Sequence, residues 1–144
     1  MNNIITFGEN HTNKNEISEI RNKILEIKPD IILHELDWED RDFYKSNIPG
    51  VKILPLEPSN KKSYDYPSFN TLSIKLQFLI RENEMLNVII NTIKSNKNKT
   101  IVIVIGDTHL RTVSGNYFYT ESLISIYISE IGGKIIRSNI KEID

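Results

Sequence analysis

Two of the chain's three histidines close the same tetrapeptide pattern, glycine three residues ahead of histidine: Gly8-Glu9-Asn10-His11 and Gly106-Asp107-Thr108-His109. Imidazole exchanges a proton near neutral pH, and its neutral form ligates divalent metals. Carboxylates stand close by. Glu9 and Asp107 lie within the two motifs, and Glu35 and Glu57 each follow an apolar run. A His/Glu/His cluster supports two chemistries. Glu9, His11 and His109 can hold a divalent ion that lowers the pKa of its bound water to ~7. Alternatively, a neutral histidine oriented by a carboxylate takes the proton from water without metal. Glu35 is the candidate to orient a ring or to act as base. Spacing alone leaves both routes open. With no cysteine in the chain, thiol nucleophiles, thiolate metal sites and disulfides are excluded.

For these residues to meet, the fold must deliver them to one edge. The chain has 144 residues, 39% of them hydrophobic and 26% charged, with a formal net charge of -1, which fits one globular domain with one core and gives no footprint for nucleic acid. Short β-rich runs alternate with longer stretches of helical period, the pattern of a single-domain α/β fold whose mostly parallel sheet is covered by helices. Strands are expected at 3–7, 30–36, 51–56 and 100–105, with 134–137 as an edge strand. The β-branched run 100–105, bounded by Gly106, is the candidate for the central strand. The stripe Ile17, Ile20, Ile24 and Ile27 predicts a helix ending before Pro29, with Asn13 or Asn15 as its cap. Further helices are expected over 71–95, with a break near Arg81, and over 119–131, closed by Gly132-Gly133. Residues 37–50 read as a charged connection, with Asp37, Glu39, Asp40 and Asp42 in a solvated loop, and 57–70 as a loop able to cover a site.

On this layout Glu9, His11, Glu35, Glu57 and His109 all fall at the carboxyl ends of strands, where open α/β sheets bind ligands. Adjacent strand residues point to opposite faces, so Glu35 is assigned to the site and His34 to structure, while an extended chain would put Glu9 and His11 on one side. Glu57, Arg81 and Asp107 are expected around them, contacting substrate or supporting the catalytic groups. Trp38 is expected in the core. Met1 leads straight into Ile4-Ile5-Thr6-Phe7 without a basic segment and a long apolar stretch, so no signal peptide is expected. The longest apolar run, 101–105, falls short of the ~18 residues of a membrane span. A cytoplasmic protein with no membrane partner is the expectation.

The motifs resemble those of a known superfamily. Gly8-Glu9-Asn10-His11 resembles the Gly-Glu-x-His or Gly-x-x-His signature of Tiki, TraB and erythromycin-esterase-like proteins. Ile31-Ile32-Leu33-His34-Glu35-Leu36 followed by Arg41 is similar to their second motif, and Glu35-Leu36-Asp37-Trp38 to the Glu-x-Asp-Trp stretch of the esterase branch. Arg81-Glu82-Asn83-Glu84-Met85 resembles the helix start before the final motif, and the strand leading to Gly106-Asp107-Thr108-His109-Leu110 that motif itself. Ile131-Gly132-Gly133-Lys134-Ile135 looks like the closing helix, glycine and strand. The resemblance implies an α/β core with its motifs on one face and hydrolytic activity: metal-dependent proteolysis in Tiki-like members, ester hydrolysis by a histidine base without metal in the esterases. This chain is shorter than typical members, lacking a helical insertion between Glu57 and Arg81, and its motifs lean toward both branches. The expectation is a hydrolase of a small molecule or peptide. Glu9, His11, Glu35 and His109 would be catalytic, and Glu9, His11 and His109 would hold a divalent ion such as Mn²⁺, Co²⁺ or Zn²⁺. The alternatives are a metal-free esterase and a non-catalytic module that binds a small ligand, peptide or haem. Assembly as a homo-oligomer is left open.

Overall fold

The computed structural model of the chain describes residues 1–57, 74–112 and 121–138, with the backbone alone at 37–39 and 74–75. In chain order the elements are β1 (Asn3–Glu9), α1 (Lys14–Ile27), β2 (Ile31–His34), α2 (Asp37–Asn47), β3 (Lys52–Pro55), α3 (Ile74–Ser95), β4 (Thr100–Gly106), α4 (Leu123–Glu130) and β5 (Lys134–Ile136). A 3₁₀ turn, Asp107–Leu110, follows β4 directly. The five strands form an all-parallel sheet in the order β3-β2-β4-β1-β5. The β-branched run expected at the centre is there, buried at every position after Thr100.

Alternation along the strands divides the core into two layers. Ile31 and Leu33 of β2 pack with Ile101, Ile103 and Ile105 of β4 against Met85, Ile89, Ile124 and Ile128 of α3 and α4. Ile32, Val102 and Val104 point the other way, onto Ile20 and Ile24 of α1 and Tyr44 of α2. The chain therefore winds outward through β2 and β3 with its helices on one face, and returns through β4 and β5 with its helices on the other. The direction reverses where β4 inserts between β2 and β1. In a doubly wound sheet this is where the loops diverge and a ligand crevice opens.

Local signals account for several helix ends. The side chain of Asn13 caps α1 by accepting the Glu16 N–H at 3.1 Å. The helix stops at Lys28, which adopts the left-handed conformation just before Pro29. Ser122 caps α4, accepting from the N–H groups of Ile124 and Ser125, so the last helix begins later than the expected 119. The expected start of the long helix at 71–73 lies outside the described residues, as do positions 58–70 of the expected loop. From Ile74 the helix runs unbroken through Arg81.

The stretch expected as a solvated acidic loop is instead α2. Its composition hid it, because the buried stripe of this helix includes an acid, Asp40, one turn before Tyr44. Arg21 and His34 pair with that acid, which is what lets it be buried. The side chains of Asp37, Trp38 and Glu39 lie outside the described part. No helix among the described residues is long and apolar enough to cross a membrane.

Tyr44 is fully buried, and its hydroxyl has no hydrogen-bond partner among the described residues. A buried polar group left unpaired costs stability. Tyr44→Phe is expected to keep or raise stability by up to ~1 kcal/mol in urea unfolding, whereas Ile103→Ala, at a fully buried position of β4, loses ~2–5 kcal/mol. A clear loss in Tyr44→Phe would show that the hydroxyl is satisfied after all.

Candidate active site at the strand ends

The parallel register of β1 with β4 pairs Gly8 with Ile105 and Glu9 with Gly106, so both Gly-x-x-His segments leave the sheet side by side. Their glycines serve each other's motif. A Cβ on Gly8 would lie 2.1 Å from Asp107 Oδ1, and one on Gly106 would lie 3.1 Å from His11 Nε2 and 3.3 Å from Glu35 Oε1. A side chain at Gly8 would force Asp107 to move, and one at Gly106 would press on His11 and Glu35. Beyond Glu9 the chain is no longer extended: the Asn10 side chain accepts from the N–H and hydroxyl of Thr12, folding a turn that lifts His11 onto the rim.

Glu35 joins the three central strand ends. Its backbone N–H donates to Val104 O at 2.9 Å, and its Oε1 accepts the Gly106 N–H at 2.7 Å. His11 Nε2 stands 3.5 Å from Oε1 and His109 Nε2 3.7 Å from Oε2. These separations are long for direct hydrogen bonds, so a water or substrate atom can bond to either ring beside the carboxylate. At the far edges of the two rings stand further acids. His109 Nδ1 donates to Glu82 Oε2 at 2.9 Å, and Glu82 is gripped at 2.8 and 3.1 Å by both terminal nitrogens of Arg111. His11 Nδ1 lies 3.7 Å from Glu9 Oε1. The result is one chain of alternating charge, Glu9, His11, Glu35, His109, Glu82, Arg111. Phe78 stacks on the His109 ring at 4.3 Å and 8°.

This alternation sets the protonation states. Glu35 and then Glu9 raise His11 from 6.5 to about 10. Burial, the largest influence on His109, opposes its charge, but Glu35 and Glu82 overcome it and leave the ring raised above 6.5. Burial likewise opposes ionisation of Glu35, yet His109, His11 and the Gly106 N–H hold it well below the usual carboxylate value. At neutral pH the centre is an ionised carboxylate facing the His11 imidazolium, with the His109 ring, its pKa raised by the same carboxylate, on the other side.

The structure brings together His11, Glu35 and His109, with Glu9 touching only the outer edge of His11 and lying on the α1 and α2 side of the sheet with Phe7. The side shared by Glu9 and His11 does not survive the turn at Asn10. His34 faces away from the site, as parity required. Glu57 and Arg81 pair with each other, and among the described residues neither has a polar contact with the histidines. Asp107 is engaged elsewhere, accepting the Ser138 N–H at 3.0 Å beside Arg137 and tying the end of β4 to the segment after β5. As ligands for a divalent ion Glu9, His11 and His109 do not fit. Glu9 approaches Nδ1 of His11 while the edge shared with His109 carries Nε2, and no group of three His, Asp or Glu side chains among the described residues is arranged to hold a metal.

Two members of the site had not been expected from the sequence. Glu82 was legible in principle, because it interrupts the apolar stripe of Met85, Leu86 and Ile89 at helical spacing, and a charge on a buried stripe needs a partner. Arg111 carried no such signal.

Raised histidine pKa values make stability depend on pH with a definite sign. The contribution of His11 is fully present below 6.5 and is lost as the pH rises through about 10, because the unfolded chain releases the proton that the folded chain keeps. That of Glu35 is present above its ordinary 4.5 and is lost as the pH falls through its lower folded value. Urea midpoints are expected to fall from near neutral to pH 10, less steeply in His11→Gln. Equal slopes in both proteins would deny the coupling.

No protein-family model, no curated protein and no solved structure matches the chain, so the geometry of this site carries the functional reading.

Proposed function

We propose that the chain is a hydrolase of small-molecule esters or peptides, in which Glu35 and the two imidazolium rings activate water and stabilise the attacked group. What supports this reading is the sharing of one buried carboxylate by the Nε2 atoms of His11 and His109 at the reversal point of the sheet. Neighbouring groups whose pKa values are driven apart divide into base and acid. Glu35, ionised, takes the proton from a water held beside it. His11 and His109, protonated, donate to the oxygen on which charge develops, and His11, whose side chain is 33% exposed, is placed to protonate the leaving group. The Nδ1 bond to Glu82 fixes the His109 ring so that Nε2 faces the reaction. Arg111 balances the charge of Glu82.

The first test is hydrolysis of a panel of activated esters and short peptides. His11→Ala, His109→Ala and Glu35→Gln are each expected to lower kcat/KM by ~10²–10⁴ while circular dichroism stays unchanged. The pH profile separates this assignment from a histidine base. Here kcat/KM stays level through neutral pH and falls as His11 loses its proton near 10. A rate that climbs steadily between pH 6 and 9 would assign the base to a histidine. Activity abolished by chelator and restored by Mn²⁺, Co²⁺ or Zn²⁺ would replace this reading with a metal-dependent one, and a folded wild type inactive on the whole panel would favour the binding module.

A further inference from the structure

We propose that His34 and Asp40, backed by Arg21, are positioning residues for Glu35: from the opposite face of the sheet they lock the turn that aims its carboxylate between the two histidines. The inference rests on Glu35 being the working carboxylate of the proposed site. His34 is buried, and both its ring nitrogens are engaged. Nδ1 accepts the Leu36 N–H at 2.9 Å. The ring proton therefore sits on Nε2, which donates to Asp40 Oδ2 at 2.8 Å. The other oxygen of Asp40 is held by Arg21 of α1, whose guanidinium also lies over the Phe43 ring at 5.1 Å.

The backbone consequence is specific. Residue 35 lies between two fixed N–H groups, its own on Val104 O and that of Leu36 on the His34 ring. With both anchors in place the turn has little freedom, and its side chain is directed to the α3 and α4 side. The first anchor continues the β2–β4 ladder. The second depends on the orientation of one imidazole, which depends on Asp40, which is held in turn by α1. Mere filling of space would not need this arrangement: two residues earlier on the same face, Ile32 fills its place with an aliphatic side chain. The other titratable groups near this cluster are Tyr44 of α2, which feels the charges of Asp40 and Arg21, and Glu9 of β1, whose charge also reaches Tyr44.

The test reads the histidines rather than the fold. Imidazole titrations of His11 and His109 are followed by ¹⁵N NMR in Asp40→Ala, Asp40→Asn, Arg21→Ala and the control Ile53→Val, which thins the same core layer without touching the pair. Asp40→Ala is expected to move both titrations by about one pH unit toward that of an isolated imidazole, a tenfold change in the proton equilibrium. Asp40→Asn, which keeps an acceptor for His34, is expected to retain the wild-type titrations, and so is Ile53→Val. A folded Asp40→Ala with unmoved titrations would overturn the proposal, as would an equal shift in Ile53→Val. Should Asp40→Ala fail to fold, Arg21→Ala carries the test, since that side chain is 32% exposed: a smaller shift in the same direction supports the proposal and none overturns it. Hydrolysis is assayed on the same samples. Wild-type protein without activity, but with the Asp40→Ala shift, would remove the hydrolase reading and leave the positioning role standing.

Discussion

Glu35 brings a negative charge to a place that water reaches poorly, where desolvation alone would return a proton to it. Compensation comes from three directions: the Gly106 N–H, His11 and His109. Each compensating group creates a further demand. His109, itself buried, needs Glu82, and Glu82 needs Arg111. His11, closer to solvent, is steadied by Glu9. Three acids alternate with two histidines and an arginine. Removing one member leaves its neighbours as unpaired charges in a poorly solvated site, and so costs more than a single contact is worth.

The sheet makes this economy of charge accessible to a ligand. Where β4 enters between β2 and β1, three neighbouring strand ends bring together residues far apart in the chain. Glu35, Gly106 and Glu9 arrive there on neighbouring strands without any loop having to reach across. The two glycines let the strand ends crowd together, each vacating the volume that the other motif's side chain occupies. Because the helices that follow β2 and β4 lie on opposite faces, one face can hold the reacting groups while the other holds the turn that aims Glu35.

Much of this was legible in the sequence, for physical reasons that also mark where legibility ends. Apolar β-branched runs ahead of polar residues identified the strands, and strand parity separated Glu35 from His34. Parity failed for Glu9 and His11, because it holds only while the chain is extended and the Asn10 turn ends that. Residues 37–47 looked like a solvated loop because the buried acid of α2 is compensated by Arg21 and His34, partners distant in sequence or on another element. Arg81 was expected beside the site and Glu82 was not. The helical phase of α3 puts Glu82, not Arg81, on the inner stripe. The two Gly-x-x-His segments and Glu35 do meet at the strand ends, while Glu9 reaches only the Nδ1 edge of His11.

The measurement that bears most directly on the shared carboxylate is an imidazole titration by ¹⁵N NMR in the intact wild-type protein and in Glu35→Gln. The account predicts that His11 and His109 are both protonated at neutral pH, that His11 changes state near 10, and that both rings move toward 6.5 once Glu35 is neutral. Two rings that titrate independently near 6.5 in the wild type, unaffected by Glu35→Gln, would contradict it.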